Sequence, residues 1–100
     1  MYRARAQQRI SVRVHGCVQS QGPVDLPAAA TVRSAIRAAG GFGGQGLRPS
    51  GVITIRSKRK SDGRRFVRRR LDYRQRPTDL AVVLRHLDFI VVQFRIPPNI

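Results

Sequence analysis

The sequence is short of acidic residues and of long apolar segments. Five aspartates and no glutamates stand against twenty basic residues, which gives a formal net charge of +15 at pH 7. We therefore expect the chain to be attracted to phosphates, anionic surfaces or acidic polymers. No apolar run approaches the roughly 18 residues of a membrane-spanning helix, so we predict no membrane span. Cys17 is the single cysteine, which excludes an internal disulfide.

Residues that form metal and catalytic sites are equally scarce. His15 and His86 are the only histidines, and neither lies at metal-ligand spacing from Cys17. No serine or threonine stands beside a base in a catalytic motif. Six of the nine glycines fall in residues 40–51, but they follow a helical pattern, whereas a phosphate-binding loop precedes a helix. We predict a protein that is not an enzyme and has no metal or cofactor, with His15 exposed and Cys17 buried.

Length and hydrophobicity indicate one folded domain. The 100 residues are enough for one modest core, and a hydrophobic content of 41% argues against disorder. We assign the domain to residues 9–96, between a flexible basic tail at residues 1–8 and a short tail at residues 97–100.

Residues 31–41 are predicted to form a helix with both ends marked. Thr31 suits the N-cap, and Gly40 and Gly41 suit the chain reversal that ends the helix. Arg33 and Arg37 lie off the apolar stripe and should face water. The stripe consists of Val32, Ala35, Ile36 and Ala39.

The flanking segments are predicted strands. Residues 9–18 alternate between apolar and polar, and residues 24–27 return after a turn at Gly22, which gives an antiparallel hairpin. Residues 52–60 and 64–72 are predicted to form a second hairpin around Ser61-Asp62-Gly63. Its inner face should carry Ile53, Ile55, Val67 and Leu71, together with Arg69.

The end of the domain is predicted to hold one more strand. Residues 80–87 suit either a helix or a short buried strand, and Asp88 is expected to cap the turn before a strand at residues 89–94. The resulting order predicts an α+β fold of the β-grasp (ubiquitin-like) type. That fold has a mixed sheet of about four or five strands with one helix packed across it, and its last strand is central and parallel to the first.

Positive charge is concentrated in residues 56–76, which we call the basic hairpin. It holds eleven basic residues against two aspartates, and guanidinium groups bind phosphate or carboxylate in a bidentate manner. Two other interpretations stay open: a solvated hairpin whose arginines reflect codon bias, and a nucleic-acid site, for which aromatic residues are few. The candidate polyanion-binding residues are Arg56, Lys58, Arg59, Lys60, Arg64, Arg65, Arg68, Arg69 and Arg70.

Three motifs, taken in order, resemble the soluble-ligand-binding β-grasp (SLBB) domains of bacterial polysaccharide-export proteins. Residues 14–27 contain VHGCV followed by QGPVDLP, similar to that family's first strand, turn and return strand. Residues 31–41, TVRSAIRAAGG, resemble its helix ending in Ala-Gly-Gly. Residues 84–92, LRHLDFIVV, resemble its closing segment, except that His86-Leu87 replaces the usual Pro-Gly. The basic hairpin is also more basic than in a typical member.

The resemblance implies a non-enzymatic binding or assembly module. Its partners would be a polysaccharide or other acidic polymer, or neighbouring envelope subunits, and homo-oligomers would be expected. The location would be the periplasm or cell envelope if the chain is part of an export protein, and the cytoplasm if it is complete. The residues expected to hold the frame are Gly22, Thr31, Gly40, Gly41 and Asp88.

A second resemblance supports a different function. The TGS domains of translation-associated proteins are similar in fold and share the Leu-Pro pair seen at residues 26–27, followed by a helix led by Thr31. The basic hairpin would then follow a phosphate backbone, and affinity would fall steeply with salt. From the sequence we expect weak binding to every polyanion, because the hairpin has charge without stacking aromatics.

Overall fold

The computed structural model describes residues 9–44, 46–58 and 66–95. Within them one α-helix packs against a five-stranded mixed sheet, which confirms the predicted α+β class. The strand order across the sheet is β2-β1-β5-β3-β4. The elements are β1 (Arg9–Gly16), β2 (Gly22–Pro27), α1 (Val32–Ala38), β3 (Pro49–Lys58), β4 (Phe66–Asp72), a 3-10 helix (Pro77–Ala81) and β5 (Phe89–Phe94).

The last strand, β5, is the central strand of the sheet. It lies parallel to β1, with Arg13 opposite Phe89 and Gly16 opposite Val92, and antiparallel to β3. The first and last strands therefore pair as predicted, and the two hairpins β1–β2 and β3–β4 lie on either side of β5. Gly16 permits the close approach at the end of this pairing. A Cβ atom there would lie 2.1 Å from the carbonyl oxygen of Val92.

The core lies between α1 and one face of the sheet. Residues alternate between the two faces of a strand, and every fully buried strand residue falls on the same face as the helix. Ile53 lies opposite Leu71 and Ile55 opposite Arg69, which confirms the predicted inner face of the second hairpin. Val67, opposite Ser57, also lies on this face as predicted, but it is exposed, as is Arg69. The buried strand residues are Val12, Val14, Leu26, Ile53, Ile55, Leu71, Ile90 and Val92.

The helix forms as the sequence predicts. The hydroxyl of Thr31 accepts a hydrogen bond from the backbone N–H of Ser34 at 3.4 Å, so Thr31 is the N-cap. At the other end the N–H of Gly41 donates to the carbonyl of Ile36, and Gly40 adopts a φ of 88°. Glycine takes that left-handed conformation at no steric cost. All four residues of the apolar stripe are buried, and Arg33 and Arg37 are exposed.

Several predicted boundaries differ from the structure. Strand β3 begins at Pro49, inside the glycine-rich residues 40–51 and three residues before the predicted start at residue 52. Of residues 80–87, the first two end the 3-10 helix, and residues 82–87 form neither an α-helix nor a strand. In this segment Leu84 donates its backbone N–H to the carbonyl of Ala30, beside the start of α1. Gly22, at the predicted first turn, begins β2 with a positive φ. The predicted turn at residues 61–63 and both predicted tails lie outside the described residues.

Asp88 holds the turn before β5, as predicted. Its Oδ2 accepts the N–H of Arg85 at 2.9 Å, and its own N–H donates to the Arg85 carbonyl at 3.1 Å. In the same turn, the ring nitrogen Nδ1 of His86 accepts the N–H of Ser11 at 3.0 Å. Leu87 adopts a left-handed φ of 70°, and its side chain is exposed.

Stability should depend on the helix stripe much more than on the charged face of the helix. Replacing Ile36 with Ala removes a side chain that is 3% exposed, and we expect it to lower the free energy of unfolding by about 2–5 kcal/mol. Arg33→Ala is the control on the solvent side and should change that free energy by no more than about 0.5 kcal/mol. Urea unfolding measures both, and equal losses would contradict the helix orientation.

The strained backbone at Leu87 gives a second stability test. A residue with a Cβ pays roughly 1–2 kcal/mol in the left-handed region, whereas glycine does not. We expect Leu87→Gly to be more stable than Leu87→Ala by about 1 kcal/mol. The two variants lose the same exposed side chain, so their difference isolates the backbone term. Thermal unfolding that ranks the Ala variant equal or higher would show that the turn has another conformation.

Candidate polyanion-binding face

The side of the sheet opposite α1 is the candidate site, and we call it the open face. No helix covers it within the described part of the chain, because both α1 and the 3-10 helix pack on the core side. Its side chains are basic at one edge and apolar at the centre. The residues of β1, β5, β3 and β4 that alternation places there include Arg13, His15, Phe89, Val91, Gln93, Thr54, Arg56, Lys58, Arg68 and Arg70, and beyond them Ser11, Val52 and Asp72.

Four of these residues form a row across four strands. Arg13 on β1 lies opposite Phe89 on β5, which lies opposite Arg56 on β3, which lies opposite Arg68 on β4. Adjacent strands are about 4.8 Å apart, so the row spans about 14 Å of the face. Like charges directly opposite one another in a sheet are unfavourable. The pairing of Arg56 with Arg68 therefore brings two like charges side by side on this face.

Phe89 organises the centre of the row. The guanidinium carbon of Arg56 lies 5.2 Å from the centroid of the Phe89 ring, within cation–π distance. The His15 ring meets the same ring edge to face, with 5.0 Å between centroids. His15 is consequently half-buried rather than fully exposed as predicted. These contacts hold the Arg56 guanidinium in place and leave less of the Phe89 ring free for stacking.

A shallow depression of about 290 Å³ adjoins this row. Its floor is apolar, and one side is polar because the side-chain amide of Gln93 donates to the hydroxyl of Thr54 at 3.3 Å. A second depression, of about 450 Å³, lies farther along the face beside Arg70 and Arg95. The residues lining the first are Thr54, Arg56, Arg68, Phe89, Val91 and Gln93.

The predicted basic residues divide between the two faces. Arg56, Lys58, Arg68 and Arg70 lie on the open face, whereas Arg69 lies on the other, opposite Ile55. The structure therefore brings together part of the predicted set and separates Arg69 from it. The remaining candidates, Arg59, Lys60, Arg64 and Arg65, lie outside the described residues.

Phe89 and Arg13 complete the site but are not among the residues predicted from the sequence. Phe89 lies in the mostly apolar run FIVVQF, and Arg13 lies far from the basic hairpin in the sequence. Alternation within FIVVQF, with Gln93 on the same side as Phe89, is the signal that would have placed Phe89 on a solvent-facing side. The apolar Val91 between them obscures that signal.

The described aspartates do little to neutralise this part of the open face. Asp88 is buried in its turn, and Asp72 accepts hydrogen bonds from two backbone N–H groups of the turn that follows β4. Asp79 is paired with Arg76 at 3.2 Å. Asp25 lies on the edge strand β2, two strands away from β5, opposite Ser11 and diagonal to Arg13. In the described residues the side chains of Arg68 and Arg70 form no ion pair. Among the described residues, the charge around Phe89 is therefore mainly positive.

The other titratable groups suggest no chemistry. Burial raises the pKa of Tyr73, so its phenol stays protonated near neutral pH, and its ring stacks on Phe42 away from the open face. Cys17 is a free, fully buried thiol, as expected. Across the described ranges no cluster of three His, Cys, Asp or Glu side chains is placed to bind a metal. Helices long and apolar enough to cross a membrane are also absent from those ranges.

Comparison with known proteins assigns the chain to no family. No protein-family model matches the chain, and no curated protein matches it.

Proposed function

We propose that this chain is a non-catalytic β-grasp module, of the type its sequence resembles, that binds an acidic polymer on the open face. The β-grasp assignment is supported by the mixed sheet with β5 at its centre, by the parallel pairing of β1 with β5, and by the packing of α1 on one face. The SLBB-like motifs then supply the frame: the Thr31 cap, the helix end at Gly40 and the Asp88 turn.

The row of Arg13, Phe89, Arg56 and Arg68 is the observation that carries the binding proposal. Three guanidinium groups line one solvent-facing row, and none of the described aspartates stands among them. Guanidinium groups bind carboxylates and phosphates through paired, charge-assisted hydrogen bonds. The charged side chains of β4 also have a structural explanation, because β4 is an edge strand and charge on an edge strand discourages pairing with other chains. Protection of the edge alone would not require Arg13 or Arg56, which lie on inner strands.

An acidic polysaccharide suits this face better than a single-stranded nucleic acid. Non-specific single-strand binders use aromatic rings as stacking platforms for successive bases. Here Phe89 is the aromatic residue at the centre of the row, and Arg56 and His15 contact its ring. Binding to envelope subunits and self-assembly, both implied by the resemblance, would use surfaces beyond this row.

Titration with three polymers tests the proposal. Purified protein is titrated with an acidic polysaccharide, single-stranded RNA and duplex DNA at two ionic strengths. We expect the polysaccharide to bind at least as tightly as either nucleic acid. The double variant Arg68→Gln/Arg70→Gln should weaken polysaccharide binding by at least about tenfold, since each charge-assisted hydrogen bond contributes roughly 1.5–3 kcal/mol.

The matched control is Arg33→Gln/Arg37→Gln, which removes the same charge from the exposed side of α1. If this control weakens binding equally, net charge alone explains the affinity and the open face has no special role. If RNA binds far more tightly, with a steep salt dependence that the Arg68→Gln/Arg70→Gln variant abolishes, the nucleic-acid alternative replaces the proposal.

A further inference from the structure

We propose that the depression beside Phe89 is a subsite for one carboxylated sugar ring of the acidic polymer. This inference rests on the proposed function and narrows it from polyanions in general to polymers of sugar acids. In the bound state the ring carboxylate lies against Arg68 and Arg56, the apolar side of the ring packs on Val91 and on the part of Phe89 that Arg56 and His15 leave uncovered, and ring hydroxyls meet Thr54 and Gln93.

Three kinds of chemistry adjoin one another in this depression. Arg56 and Arg68 lie directly opposite each other on neighbouring strands, so both guanidinium groups can approach one carboxylate. Phe89 and Val91 are half-buried neighbours on the same side of β5 and supply an apolar floor. A sugar acid presents the complementary set: a carboxylate, hydroxyls and an apolar C–H surface.

The polar side of the depression would allow the site to distinguish a sugar acid from an anion that has no hydroxyl groups. The Gln93–Thr54 hydrogen bond fixes the amide and the hydroxyl relative to each other. Gln93 retains a carbonyl acceptor and a second N–H, and Thr54 retains its own O–H donor. Both side chains are half-buried, which limits their conformational freedom. Ordering them on binding therefore costs less entropy. A bare polyphosphate has no hydroxyl groups along its chain to use these positions.

The size and surroundings agree with one ring of a longer chain. A volume of about 290 Å³ lies at the lower end of small-ligand sites, and the depression is open on the solvent side. The second depression, beside Arg70 and Arg95, continues in the direction of β5. Phe89 and Gln93 are about 13 Å apart along the strand at 3.3 Å per residue. A polymer lying along β5 would therefore pass both depressions.

The test separates hydroxyl recognition from charge. The double variant Thr54→Val/Gln93→Leu keeps every charge and nearly the same volume. Its affinity, and that of the unaltered protein, is measured for an oligogalacturonate and for a polyphosphate of matched charge. We expect the variant to bind the oligogalacturonate about tenfold more weakly, as two lost hydrogen bonds predict, and to bind the polyphosphate within about twofold of the unaltered protein.

A second variant keeps the test valid if the first disturbs the sheet. Thr54→Ser retains the hydroxyl and should bind the oligogalacturonate nearly as the unaltered protein does, whereas Thr54→Val should not. Equal losses in these two variants, or equal losses for both ligands in the double variant, would overturn the subsite while leaving the polyanion-binding face intact. If the unaltered protein binds neither ligand, the proposed function itself fails, and the subsite fails with it.

Discussion

The parallel pairing of β1 with β5 is the constraint on which the rest of the structure depends. It places the last strand of the chain between the two hairpins, so that β5 contributes Ile90 and Val92 to the core and Phe89 to the open face. The pairing ends at Gly16, where a Cβ atom would collide with the Val92 carbonyl. It also brings Arg13 opposite Phe89, which makes the basic row continuous across four strands.

The two faces of the sheet have opposite energetic roles. On the core side, apolar burial against α1 stabilises the fold, at roughly 25 cal/mol for each Å² removed from water. On the open side, Arg56 and Arg68 lie directly opposite each other and bring two like charges together on neighbouring strands. Apolar burial on the core side allows the sheet to carry such a charged face on the other side. In the proposed binding mode both groups contact one carboxylate.

Features set by local chemistry, and the central place of the last strand, could be predicted from the sequence, whereas the side chains that the strand pairing brings together on one face could not. The helix was predicted with both ends because the Thr31 cap, the Ile36 stripe and the Gly40 reversal each depend on a few neighbouring residues. The sequence signal for Phe89 on the open face is weak, because the run FIVV is apolar on both sides and only Gln93 marks the side that meets water. The pairing of β5 with β1 and β3 decides between the two sides. Arg13 joined the site for the same reason.

The central claim is that the open face is the binding surface, and amide chemical-shift mapping tests it most directly. Isotope-labelled protein would be titrated with an oligogalacturonate while its backbone amide resonances are followed. The account predicts that the largest shift changes fall at Thr54, Arg68 and Phe89, on three adjacent strands, with little change along α1. Changes confined to α1 or to the glycine-rich residues 40–44, with the open-face amides unmoved, would contradict it.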